Sequence, residues 1–183
     1  SEIQKIDENS GWRVSTKKYN NDLIRALNKK IVEKDFKDIN ALVVIKNGEL
    51  LIEQYYNGSD RQSLHDPRSV GKTFASTLLG MAIRDGYIKS EDQTLSDFYD
   101  LSKYENNSRI KANVSLKQLL TMSSGFVGDD ANSQSIGNEE NMYPTDDWVK
   151  FALDLPMRSD VNNKPSWSYF TAGVVVLGDV LHR

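Results

Sequence analysis

The stretch from Ala41 to Tyr56 restricts the fold most, because two β-rich runs flank the dipeptide Asn47-Gly48. Both central residues accept positive φ, so the pair closes a two-residue hairpin turn. The hairpin is expected to begin an antiparallel sheet that packs against the helix opening at Ser69. In that helix Val70, Phe74, Leu78, Met81 and Ala82 recur at helical spacing, Gly71, Ala75 and Gly80 permit close packing, and Gly86 stands where a C-cap belongs. Around these two elements the pattern predicts a polar lead-in over 1–20 and a helix over 21–33, with Leu23, Ile24, Leu27, Ile31 and Val32 on one face. A turn and short helix follow over 90–98, then a helix from 114 with Ser115 as N-cap and Gly125 at its end. A long surface loop over 127–145, a helix over 146–155, a loop over 156–168 and a final apolar helix over 171–182 complete the reading.

The chain has 183 residues, 38% hydrophobic and 27% charged, which suits one soluble domain with a substantial core. Its formal net charge of -3 gives no electrostatic reason to hold nucleic acid or an anionic membrane. The absence of cysteine excludes disulfides and thiol catalysis, and two histidines, His65 and His182, are too few for a multi-histidine metal site. No apolar stretch is long enough to span a bilayer. The first residues, Ser-Glu-Ile-Gln-Lys, are neither a signal peptide nor an initiator methionine.

The chemistry-bearing pattern is Ser69-Val70-Gly71-Lys72. Residues i and i+3 share a helix face, so the Lys72 amine can sit beside the Ser69 hydroxyl. A serine is a weak nucleophile until a base removes its proton, and a lysine serves where its neutral form is favoured. The spacing recurs at Ser15/Lys18 and Ser108/Lys111, but only Ser69 opens a long apolar helix.

From here the sequence resembles the serine β-lactamase and penicillin-binding-protein superfamily, and within it the class C-like esterases and 6-aminohexanoate-dimer hydrolases. The hairpin residues Val43 to Gly48, the nucleophile segment Arg68 to Ser76, Asp85-Gly86-Tyr87-Ile88 with Leu95, and Val114 to Phe126 match in order. Trp167 to Gly173, followed by Val174 to Gly178, resembles the second catalytic motif, Tyr-x-Asn. The likeness runs from about residue 40 to the end of the chain.

The resemblance implies an α/β (α+β) fold in which an antiparallel sheet is flanked by helices and joined by a mostly helical part over about 90–165. It implies Ser69 as the acylated nucleophile, Lys72 as its base and Tyr169 as the phenol that returns the proton to the leaving group. The Ser69 N–H would supply half of the oxyanion hole, and Trp167 and Thr171 would face the substrate. No metal or cofactor is implied, and the resemblance leans toward a bacterial extracytoplasmic setting.

Two departures stand out. Thr171 replaces the asparagine of the second motif, which weakens a β-lactamase reading more than an esterase one. The later Lys-Thr-Gly or His-x-Gly strand does not occur here, and with it go the second oxyanion donor and the substrate-reading edge. Loss of one such donor typically costs about 10²–10³ in rate. The chain is therefore expected to be the N-terminal part of a longer hydrolase, unstable alone, its sheet completed by a C-terminal segment or a second chain. The substrate class stays open among a short-chain ester, a small linear or cyclic amide, a D-amino peptide and a β-lactam.

Other readings compete. The same scaffold can serve as a ligand-binding or sensor module that acylates slowly or never. Gly71-Lys72-Thr73 matches the end of a phosphate-binding loop, but the first glycine is replaced by Asp66, and Pro67 interrupts it. Asp130 to Asn141 suggests a calcium loop, but Ser135 and Asn141 stand where glycine and glutamate are needed. His65 reads as a surface histidine, Tyr104-Glu105-Asn106 and Tyr19-Asn20-Asn21 as surface turns, and Trp148, Phe151 and Trp167 as core residues.

Overall fold

A computed structural model describes residues 11–16, 20–159 and 167–183. The chain divides into two compact units, Ser1–Asp66 and Pro67–Arg183. The nucleophile segment and the second motif both lie in the latter.

In the first unit, helix α1 (Asn21–Val32) starts at Asn20, whose side chain accepts the N–H groups of Asp22 and Leu23. Its inward side is Ile24, Leu27, Asn28 and Ile31, a tidy i, i+3, i+4, i+7 row. Leu23 and Val32, expected on the same face, are exposed because they fall outside that arc. Strands β1 (Ala41–Lys46) and β2 (Glu49–Tyr55) form the predicted hairpin. Asn47 and Gly48 both take positive φ, 54° and 74°. The register sets Ala41 opposite Tyr55 and Val44 opposite Ile52, then slips between Val44 and Ile45, so that Ile45 faces Leu50. Leu50 and Ile52 point to the buried face. The lead-in joins the sheet where Val14 bridges Leu50 in parallel, on the other edge of β2 from β1.

The second unit is helical. A 3-10 turn, Arg68–Gly71, runs into α2 (Lys72–Arg84). There follow α3 (Leu95–Phe98), a 3-10 turn at Leu101–Lys103, α4 (Arg109–Ala112), α5 (Leu116–Leu120), α6 (Glu139–Met142), α7 (Trp148–Asp154) and α8 (Thr171–His182). Many ends are capped by the residue types that the sequence supplies. Gly86, with φ 81°, closes α2: its N–H bonds Ile83 C=O and the Tyr87 N–H bonds Ala82 C=O, the Schellman pattern. Ser115 and Gln118 form a reciprocal capping box on α5, and Thr94 with Asp97 does the same on α3.

Helix α8 is the centre of this unit. Ala172, Gly173, Val176, Leu177 and Val180 are buried and pack with Leu79, Leu95, Leu116, Leu119, Phe126 and Leu153. A Cβ on Gly173 would lie 2.9 Å from the Phe170 ring, which explains a glycine in an otherwise apolar helix. Three expectations are corrected here. The stripe Val70, Phe74, Leu78 and Met81 is exposed, and α2 packs inward through Leu79 with Ala82 and Ile83. The 127–145 segment is folded down rather than a surface loop: Gly128, Gly137, Asn138 and Met142 are buried and α6 forms inside it. Trp148 and Trp167 are largely exposed, not core. Among the described residues no helix is long and apolar enough to cross a membrane.

Candidate active site

Ser69 is the second residue of the 3-10 turn, and Arg68 before it takes φ 47°, a left-handed conformation sparsely used by a long side chain. That kink turns the polar approach into the helix and leaves the Ser69 side chain exposed. Lys72, at the first residue of α2, is half-buried and curls back along the turn. Its Nζ lies 2.9 Å from Ser69 Oγ. The same Nζ lies 5.1 Å from the centroid of the Tyr169 ring, close enough for a cation–π contact. Residues distant in sequence are thus gathered around one amine.

The Ser108/Lys111 pair does not form this arrangement. Ser108 caps α4, its Oγ accepting the Lys111 N–H at 3.1 Å, while Lys111 Nζ turns away to bond Glu105 C=O and Leu153 C=O. Lys18 of the Ser15 pair lies outside the described residues.

The second motif meets Lys72 through the Tyr169 ring. Trp167 and Tyr169 meet edge to face with ring centroids 6.3 Å apart. Trp167 is 67% exposed, so its indole has a free face beside the phenol. Ser168 is tied down twice, its N–H bonding Met122 C=O at 3.0 Å and its Oγ–H bonding Gly128 C=O at 2.6 Å. Phe170 is buried against Phe126 and lies so close to Gly128 that a Cβ there would come within 2.2 Å of the ring. Thr171 starts α8; its Oγ1 is buried with no hydrogen-bond partner among the described residues, and its N–H bonds Asp130 Oδ2 at 2.7 Å. The main-chain partners Met122, Gly128 and Asp130 carry no sequence signal of this role, because each meets the motif across at least 39 residues of chain.

His65 is exposed, as expected of a surface histidine. Of the decoy Tyr-x-Asn triplets, Tyr104 packs edge to face on Tyr99, and Asn106 Nδ2–H bonds Asp154 C=O, so this triplet joins the 105 turn to α7. Tyr19 lies outside the described residues. Asp130, first residue of the candidate calcium loop, uses both carboxylate oxygens on main-chain amides.

The beta-lactamase family model matches residues 32–183. The chain belongs to the beta-lactamase family. Its α+β fold, with an antiparallel hairpin followed by helices, is that of the family. A solved structure from Bacillus anthracis, of a protein with an inferred role as a 6-aminohexanoate-dimer hydrolase, superposes with a TM-score of 0.61 at 18% identity. The likeness covers 82% of this chain and 41% of that one. At that identity it speaks for the fold alone, and this chain spans less than half the length of that one. No curated protein matches significantly.

Proposed function

We propose that this chain carries the acylating centre of a serine hydrolase that opens an ester or amide. The observation that carries the reading is the single amine of Lys72, 2.9 Å from Ser69 Oγ and 5.1 Å from the Tyr169 ring centroid. In the proposed reaction the neutral Lys72 amine accepts the Ser69 proton as Oγ attacks the substrate carbonyl. The Ser69 N–H, at the start of its turn and outside the turn's own bonding, donates to the developing oxyanion. Collapse breaks the bond to the leaving group, which takes a proton from Lys72 by way of the Tyr169 phenol, and leaves an acyl-Ser69 ester. Water, deprotonated by the same pair, hydrolyses that ester and restores Ser69.

Trp167 is assigned to the substrate side; Thr171, the other residue expected there, has its hydroxyl buried and its N–H bonded to Asp130. The exposed indole offers an apolar platform next to the phenol. We further propose that residues beyond this chain, or a second chain, complete the oxyanion hole and the sheet. The substrate class remains among esters, small amides, D-amino peptides and β-lactams.

Intact-mass labelling with a fluorophosphonate tests the centre. The expected result is a single adduct on Ser69, absent in Ser69→Ala and slowed at least about 10²-fold in Lys72→Ala. A folded wild-type chain that is never labelled would mean that the site needs the later strand or that the scaffold serves as a sensor or binding module, and labelling of a longer chain separates the two. Labelling that persists in Ser69→Ala would overturn the assignment of the nucleophile.

A further inference from the structure

We propose that Asp130 is a positioning residue for Tyr169. This rests on the role proposed above for the phenol. The motif Trp167 to Thr171 has no strand beneath it among the described residues, so something else must hold the ring over Lys72. Asp130 does so with two hydrogen bonds to the motif, and a third ties it to α6. Its N–H donates to Tyr169 C=O at 2.8 Å. Its Oδ2 accepts the Thr171 N–H at 2.7 Å, so the two peptide groups that flank Phe170 are both fixed by one residue. Its Oδ1 accepts the Glu139 N–H at 2.9 Å. The carboxylate thereby bridges the first residues of α8 and α6, where unpaired N–H groups and the helix dipole favour a negative charge.

The bridge is itself anchored. Asn138 is 5% exposed, and its Nδ2 donates to the carbonyls of Asp129, Asp130 and Asn132 at 3.1–3.2 Å. Gly137 and Gly128 allow the approach, since a Cβ on Gly137 would stand 2.4 Å from Val127 C=O. A carboxylate is required rather than an amide. Both oxygens accept from N–H groups, and an asparagine side chain would present an NH₂ donor to one of them. The loop dismissed as a failed calcium site is on this reading a rigid brace, with its acidic first residue turned to the protein's own amides.

Two measurements on the full chain test this. Hydrogen exchange of Asp130→Asn should show faster amides at Thr171 and Glu139, with those of α7 unchanged. Unchanged exchange at both would overturn the brace. Fluorophosphonate acylation is then compared in the wild-type, D130N, Y169F and doubly substituted chains. D130N is expected to slow Ser69 acylation about 10²-fold, the scale of a misplaced catalytic group. In the Y169F background the further loss should be under about threefold, because Asp130 acts through the phenol. Equal losses in both backgrounds would overturn positioning in favour of a purely structural role. If D130N does not fold, the wild-type exchange pattern decides: slow Thr171 and Glu139 amides uphold the brace and fast ones overturn it. If the wild-type chain is never acylated, the proposed centre is not competent in this chain, while the exchange arm still decides the brace.

Discussion

Lys111 is wholly buried, its ammonium donating to Glu105 C=O at 2.8 Å and Leu153 C=O at 2.6 Å and lying 5.8 Å from the Phe126 ring centroid. Burial holds its pKa below the ordinary lysine value, with Asp154 opposing the shift. The proton is therefore held less tightly in the folded chain, and raising the pH toward the unfolded value adds stability from this group. The carbonyls it serves are the stronger constraint. Lys111→Met keeps the bulk but takes the donor from the buried Leu153 carbonyl and the partly buried Glu105 carbonyl, and a loss of about 1–3 kcal/mol in urea unfolding is expected. The variant's Ser69 labelling rate should match wild type, since Lys111 lies outside the Ser69 cluster. The contrast with Lys72 shows what spacing alone can convey. Both lysines follow a serine by three residues, yet Lys111 is drawn inward by carbonyls on α7 and the 105 turn, and those partners are visible only once the chain is folded.

At the scale of elements, caps and turns were readable and burial was less so. Asn47-Gly48, Ser115 and Gly86 act through their own backbone or their nearest neighbours and behave as their residue types predict. Gly125, expected to end the helix that follows Ser115, lies beyond it: α5 stops at Leu120, and Met122, with φ 54°, takes the left-handed position that closes it. The face that a helix buries depends on what lies across from it. On α2 the sequence offers two apolar arcs, and the second unit uses only the one around Leu79. Phe74 is 66% exposed and Leu78 52%, beside Val70 and Met81. An apolar strip of this kind promotes association. Phe74→Glu should therefore leave the melting curve within about 0.5 kcal/mol of wild type, as for an exposed position. Sedimentation velocity should show less self-association than in the wild-type chain. A large loss of stability instead would mean that the strip is covered in solution.

For the molecule as a whole, acid stability is set by carboxylates in both units. Glu53, on β2, is buried and pairs with Arg61, whose hydrogen bonds hold its pKa below the ordinary value against the cost of burial. A lowered carboxylate adds stability above its unfolded pKa, about 4.3, and loses it as the pH falls through the folded value. Asp179 on α8 is also lowered: burial pushes its pKa up, but hydrogen bonds from Arg183 and Tyr99 outweigh it. Urea midpoints should therefore fall between pH 5 and pH 3, about the span of these carboxylates. Glu53→Gln should flatten only the part of that fall belonging to the first unit; an unchanged acid limb would show that the pair contributes nothing. The sequence by itself determined the hairpin, the Ser115 and Gly86 caps and the family, because these rest on local conformational preference and on motifs that are contiguous in the chain. It also singled out Ser69, Lys72 and Tyr169 through the family's motifs. Only the tertiary structure decided that Lys72 reaches both Ser69 and the Tyr169 ring, that Lys111 turns away, and that Asp130 grips the second motif. Those outcomes depend on hydrogen bonds and packing between segments far apart in sequence, whose meeting no local pattern records.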